Sequence, residues 1–373
     1  MDRLAACRYS AGNGAVLASP ARDRQAPRPA ASGRPPPAKR PASRAAARND
    51  PGSMSSILTL ALPFFGLIGL GFFCGRVAKH PEAGLAWMNF FIVYVALPAL
   101  FFKLIAPTPF EQLKNWAYVA STTLSTYVAF CLAFLVGLVA TRGRVPEATI
   151  RAVAGSYANV GYMGPGLTIA ALGQEAVVPT ALIFVFDCVL FFTLVPFLMA
   201  LGGSERLNVW DTTKLVVRRV ATHPFNVATA VAVAAAYVRF EPPGFVDAML
   251  TFLKNAAAPC ALFTMGVTIA LRPARGLSPD TVPLLLIKLV VHPLLAWVIL
   301  SWVGDFGPVW TYTALLMAAL PPALNTFVMA SQYRTDMEGA SRAILFGTLV
   351  SVFTVTGLLV LIAERRLPYD LFP

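Results

Sequence analysis

SYANVGYMGPGL, Ser156–Leu167, gathers Asn159, Gly161, Gly164, Pro165 and Gly166 within eight residues, in the middle of an apolar run over 150–172. Proline lacks a backbone donor and clashes with the preceding turn, and glycine lowers the cost of leaving helical geometry. A helix through this run therefore breaks near its middle. A second apolar run, 310–332, carries the same kind of interruption in ALPPALNTFVMA (Ala319–Ala330), with Pro321, Pro322 and Asn325. One break alone reads as a proline kink in a packed helix. Two breaks at corresponding places in two halves, each beside an asparagine, point to a site built around them.

The rest of the chain is made for lipid. Of its 373 residues 57% are hydrophobic and 13% are charged, where an ordinary soluble domain has roughly 25% charged. Too few polar residues are present to cover two or three soluble domains, so a typical soluble enzyme and a disordered protein are both excluded. A membrane helix needs about 20 mostly apolar residues. Ten runs qualify: 56–76, 85–105, 116–140, 150–172, 177–201, 218–240, 248–271, 282–303, 310–332 and 341–363.

The longest polar connection, Gly202 to Lys214, divides the runs five and five. The halves resemble each other: LPALFFKL (Leu97–Leu104) in span two matches APCALFTM (Ala258–Met265) in span seven, and the broken span four matches the broken span nine. Five spans is an odd number, so the second half enters the membrane with opposite polarity. The expected fold is all-α integral membrane: ten transmembrane helices as two inverted five-helix repeats with broken crossover helices 4 and 9. The first repeat covers 54–201, a cytoplasmic connecting loop 202–217, the second repeat 218–363 and a C-terminal tail 364–373.

Orientation follows from lysine and arginine in the connections. Those after odd-numbered spans carry Arg76, Lys79, Arg142, Arg144, Arg206, Lys214, Arg272, Arg275 and Arg334, and those after even-numbered spans carry far fewer. Odd connections should be cytoplasmic and both termini outside. Residues 1–53 hold 10 of the 30 basic and 3 of the 18 acidic residues, have no apolar run, and should be disordered. They read as sequence upstream of a true start at Met54, as a transit-like presequence, or as a polybasic arm. An arginine-rich tail would have to cross the membrane, which favours Met54.

If the broken segments cross, the positive ends of two half-helices meet and favour an anion. Asn159 and Asn325 can each donate an amide hydrogen to a carboxylate without the cost of a buried cation. Asp187 lies near the middle of span five, where a charge is costly and reads either as a coupling or gating group or as a paired helix-packing group. Lys288 and His292 share one face of span eight; Lys288 either snorkels to the headgroups or lines an inner vestibule. Lys103 and Lys254 lie near span ends and read as snorkelling, and His223 before Pro224 as structural. Tyr157 and Tyr162 flank Asn159 as pocket walls or packing. Gly71 and Gly75 form a GxxxG helix-contact signal. Span three carries no charged side chain between Trp116 and Ala140, so no acid–base pair there can drive coupling.

These residues resemble the auxin efflux carrier family of membrane transporters, which includes the PIN-type plant carriers and many bacterial members. The resemblance spans about 54–363 and rests on the ten-span pattern, SYANVGYMG and ALPPALNTFVMASQY. It implies two inverted five-helix repeats, a scaffold part that forms a homodimer and a transport part that moves in an elevator-like way. It also implies export or exchange of small organic carboxylates across the inner (plasma) membrane. By the same resemblance, Asn159 matches the family's substrate-facing asparagine and Pro321 its crossover proline. Ala158 stands where the plant members have proline, and the connection after span five is short; both departures point away from auxin itself.

The resulting site is Asn159, Gly161, Gly164, Pro165, Pro321, Pro322 and Asn325, with Asp187, Lys288 and His292 for coupling or gating. The alternative is a proton- or sodium-coupled uptake carrier of the bile-acid-symporter type, which would want acidic groups beside the crossover; the crossover segments have none. The chain has no Walker A, GxSxG or HExxH pattern and only three histidines, so no enzyme, cofactor or metal site is expected. The basic balance sits largely in the tail, and no nucleic-acid partner is expected.

Overall fold

The computed structural model describes residues 54–78, 82–109, 111, 114–202, 214, 217–218, 221–222, 224–271, 276 and 278–372. The basic tail, most of the connection after Gly202, and His223 lie outside them. Helices α1 (Met54–Ala78), α2 (Ala86–Ile105) and α3 (Trp116–Ala140) come first. Two short helices follow, α4 (Val145–Ser156) and α5 (Gly164–Leu172), and then α6 (Val177–Leu201). Next come α7 (Pro224–Val238), α8 (Gly244–Leu271) and α9 (Thr281–Val303). A second short pair, α10 (Pro308–Ala319) and α11 (Asn325–Gln332), precedes the final α12 (Met337–Ala363).

The described residues form helices and no strands. Six of the helices are long and apolar enough to cross a membrane: α2, α3, α6, α8, α9 and α12. Apolar sequence also fills shorter stretches of α1 and α7, over Leu62–Ala78 and Asn226–Val238. The remaining two apolar runs are the interrupted ones. Run 150–172 is divided between α4 and α5, and run 310–332 between α10 and α11, with α4 beginning five residues earlier than the apolar pattern because Pro146 suits the first turn of a helix.

The GxxxG glycines of α1 meet α8 inside this one chain. A Cβ at Gly71 would overlap the Phe263 carbonyl, and one at Gly266 would overlap the Ile68 carbonyl. The two backbones touch only because both helices offer glycine at the contact. Two other helices widen by one residue before a proline. In α2 the Leu97 N–H reaches back to the Ile92 carbonyl, and in α9 the His292 N–H reaches back to the Ile287 carbonyl. Pro98 and Pro293 follow directly, and the wide turn absorbs the clash and missing donor that each brings.

Candidate functional site: a crossover of two interrupted helices

The chain leaves helix at Tyr157 and re-enters at Gly164; it leaves again at Leu320 and re-enters at Asn325. The two gaps lie antiparallel. Asn159 N–H donates to the Pro321 carbonyl at 2.9 Å, and Ala323 N–H donates to the Tyr157 carbonyl at 2.9 Å. Between these bonds Ala158 faces Pro322 in an isolated bridge. The register explains the prolines. Ala158 and Pro322 sit where neither has to donate, so Pro322 costs the pairing nothing, and a proline at 158 would be tolerated likewise. Without this pairing the polar groups of both gaps would have to find partners in hydrocarbon, at several kcal/mol each.

The pairing places the starts of α5 and α11 next to the crossover. The Asn159 carbonyl accepts from Met163 N–H at 3.2 Å and Gly164 N–H at 3.3 Å, so it closes the first turn of α5. Gly161, Gly164 and Gly166 are contact residues. Added Cβ atoms would lie 3.0 Å from Phe184, 2.7 Å from Met317 and 2.8 Å from Phe64 respectively. Pro165 is buried in the first turn of α5. Pro321 and Pro322 are buried, and Pro322 lies against Gly347 of α12.

Asn159 is 1% exposed, and its amide departs from the expected role of free donor. Nδ2 donates to the Met265 thioether sulfur at 3.1 Å, while Oδ1 has no partner. Asn325 is half-buried, beside the Tyr157 hydroxyl. That hydroxyl also lies 3.6 Å from Cys188 Sγ, and the Tyr157 ring rests on Phe191 with centroids 4.3 Å apart. Tyr157 and Tyr162 are both buried, as packing residues.

Asp187, Lys288 and His292 form a second group, joined to the crossover through Cys188 and Tyr157. All three are buried. Lys288 Nζ donates to the Ala318 carbonyl, one residue before the end of α10, and lies 3.3 Å from His292 Nδ1. The snorkelling reading of Lys288 is thereby overturned: its ammonium turns inward to the carbonyl of an interrupted helix. Thr126 of α3 lies 3.3 Å from His292 Nε2 and hydrogen-bonds the Asp187 carboxyl group. Thr122, Ser125, Thr126, Asp187, His292 and Ala318 line a cavity of about 10 Å³, about the room one water needs. Lys103 does not snorkel freely either; it pairs with Asp247 at 2.6 Å.

Two contributors were missed in the sequence. Span three stands out in the sequence for its lack of charge, yet it supplies Thr122, Ser125 and Thr126, and hydroxyls at i, i+3 and i+4 on an apolar helix are the available signal. Arg151 was the other. It lies one turn before the first break and bridges Asp280 (2.7 Å) and Asp336 (2.8 Å), which sit at the starts of α9 and α12. A lone arginine inside an apolar run was visible; its partners, more than a hundred residues away, were not.

The family model described as "Membrane transport protein" matches residues 56–359, a range that contains both interrupted runs and the Asp187 group. The chain belongs to this family of membrane transporters, the auxin efflux carrier type. A Rhizobium meliloti (strain 1021) protein named "Putative malonate transporter" is 48% identical over 320 residues, covering 86% of this chain and all of that protein. "Auxin efflux carrier component 5" of Arabidopsis thaliana is 23% identical over 302 residues, 71% of this chain and 84% of the relative. An "Uncharacterized transporter" of Methanothermobacter thermautotrophicus is 24% identical over 310 residues, 82% of this chain and 96% of the relative. The chain is thus a multi-pass membrane transporter and not an enzyme.

Proposed function

We propose that this transporter moves small organic carboxylate anions, dicarboxylates of the malonate type foremost, across the plasma membrane by secondary transport, as an exporter or exchanger. The single observation that carries the reading is the antiparallel pairing of the two gaps at Ala158 and Pro322. It brings two interrupted helices to one crossover, with Asn159 in the first gap and Asn325 opening the half-helix after the second, an arrangement suited to an anion. The name of the Rhizobium meliloti relative supports a dicarboxylate over an indole acid.

In this reading the ten spans form two inverted five-helix repeats, 54–201 and 218–363, joined by a cytoplasmic connection, with the termini outside. Two copies associate through a scaffold part while the crossover part travels in an elevator-like way. Gly161, Gly164 and Pro165, with Pro321 and Pro322, shape the backbone that Asn159 and Asn325 stand on. Asp187, Lys288 and His292 act as a gate: Lys288 holds the Ala318 carbonyl, so a shift in that group moves the end of α10 and the crossover behind it. A sodium-coupled uptake carrier is not favoured, because the crossover segments hold no carboxylate.

The test is counterflow of labelled malonate and of a labelled indole acid in proteoliposomes. Wild type accumulates malonate, and Asn159→Ala with Asn325→Ala does not, although it inserts and runs as a single species. Malonate counterflow that persists in the double variant sinks the site.

A further inference from the structure

The thioether of Met265 accepts hydrogen bonds and cannot donate one. The Asn159 amide therefore has one orientation available, Nδ2 toward the sulfur at 3.1 Å, and this leaves Oδ1 as a bare acceptor on a residue 1% exposed. A carboxylate is an acceptor only, and setting one against that edge would oppose oxygen to oxygen. A protonated carboxyl carries O–H and C=O side by side. It matches Oδ1 and the second Nδ2 hydrogen as a pair.

We propose that the crossover takes its substrate as the singly protonated form of a small dicarboxylic acid, with the neutral carboxyl paired edge-on to the Asn159 amide and Met265 as the residue that positions that amide. The inference rests on the transport reading above and narrows its substrate class. The remaining carboxylate goes to the half-helix starts at Gly164 and Asn325, where backbone dipoles favour negative charge. Two further buried hydroxyls without partners, Thr326 Oγ1 and Thr264 Oγ1, adjoin Asn325 and Met265 in the chain. A doubly ionised acid would ask for a second cationic partner, and the Lys288 ammonium is already occupied by the Ala318 carbonyl and His292.

The consequence is that a proton crosses on the substrate itself and leaves with it. The titratable groups on the elements packed about the crossover include Tyr157 and Tyr162 on its own segment, Arg151 on α4, Asp187 and Cys188 on α6, Lys254 and Cys260 on α8, Lys288 and His292 on α9, and Glu338 and Arg342 on α12. If one of these bound the transported proton instead, every substrate would show the same pH dependence. The substrate decides between the two cases, because malonamate, the monoamide, is a monoanion at neutral pH and offers the same donor–acceptor edge as a protonated carboxyl. Monomethyl malonate is a monoanion of similar size without the donor.

The experiment measures uptake of subsaturating labelled malonate into proteoliposomes holding the full chain, across buffers above the titration of the second carboxyl. Malonamate and monomethyl malonate serve as competitors. The expected result is a fall in malonate uptake of about tenfold per pH unit, competition by malonamate that is flat with pH, and competition by monomethyl malonate at least about tenfold weaker, in keeping with the unpaired acceptor it would face. Met265→Leu should flatten the pH slope of malonate uptake, whatever its effect on the rate, since the amide is then free to turn its N–H groups to a carboxylate. Malonate uptake independent of pH, malonamate sharing malonate's slope, or monomethyl malonate equal to malonamate each overturns the proposal. Failure of the transport reading looks different: neither malonate nor malonamate moves or competes at any pH.

Discussion

Arg151→Met should be among the most damaging substitutions away from the crossover. Arg151 uses Nη1 on Asp280 at 2.7 Å and Nε on Asp336 at 2.8 Å, and the three side chains are 16%, 14% and 12% exposed. Each contact is a charge-assisted hydrogen bond worth about 1.5–3 kcal/mol. Removing the guanidinium leaves two carboxylates facing one another with little water. Breaking a buried pair costs about 3–5 kcal/mol, and the slight exposure here lets the carboxylates relax, so the lower end, about 3 kcal/mol, applies. For a body of this size that is a fall in melting temperature of roughly 4–5 °C. Arg151→Lys keeps the charge and one of the two contacts, because a single ammonium does not reproduce the guanidinium fork; its cost should be about half. The measurement is tryptophan fluorescence during thermal unfolding of purified protein, at two scan rates because unfolding of a membrane protein is commonly governed by rate. If Arg151→Met melts within 2 °C of wild type, a value set by the contribution of about 1 kcal/mol or less expected of an exposed ion pair, the clasp holds nothing. If the Met and Lys variants melt together, the two-pronged geometry is irrelevant and only charge matters.

Two further outcomes test how the helices pack. Gly266→Ala should lower the melting temperature by several degrees, since the added methyl has Ile68 backbone on one side and cannot be relieved by rotating a side chain; Gly69→Ala on the facing helix has open space around it and should melt like wild type or slightly higher. Asp247→Asn should change the melting temperature by no more than about 2 °C, because the Lys103–Asp247 pair is 22% and 43% exposed and such pairs contribute about 1 kcal/mol or less; a larger fall would mean the pair is drier in the membrane than its exposure indicates.

The positions of the breaks were legible because proline and glycine act through the local backbone, and local effects are written in local sequence. Pro165, Pro321 and Pro322 with Gly164 mark the gaps whatever lies around them. The apolar runs were legible for the same reason, down to both ends of α3 and α6. What was hidden depends on contacts between distant segments. Nothing near Met265 announces that its sulfur receives the Asn159 amide, and apolar methionine in an apolar helix is indistinguishable from packing. Lys288 was readable as charged and central but not as turned inward, because the wide turn at Ile287–Val291 that carries it arises from Pro293, beyond the residue itself.

The crossover also bears on why the interruptions come as a pair. A single gap in hydrocarbon has more donors and acceptors than one chain segment can answer, since the groups that would satisfy them are those the helix has just given up. Two gaps running antiparallel answer one another: Tyr157 accepts what Ala323 donates, and Pro321 accepts what Asn159 donates. Two backbone bonds hold this pairing, each about 0.5–1.5 kcal/mol when water can replace it and several kcal/mol when it cannot. The crossover is therefore firm while dry and loose once wetted. Each bond takes its donor from one half of the chain and its acceptor from the other, so neither half can build the pairing without the other.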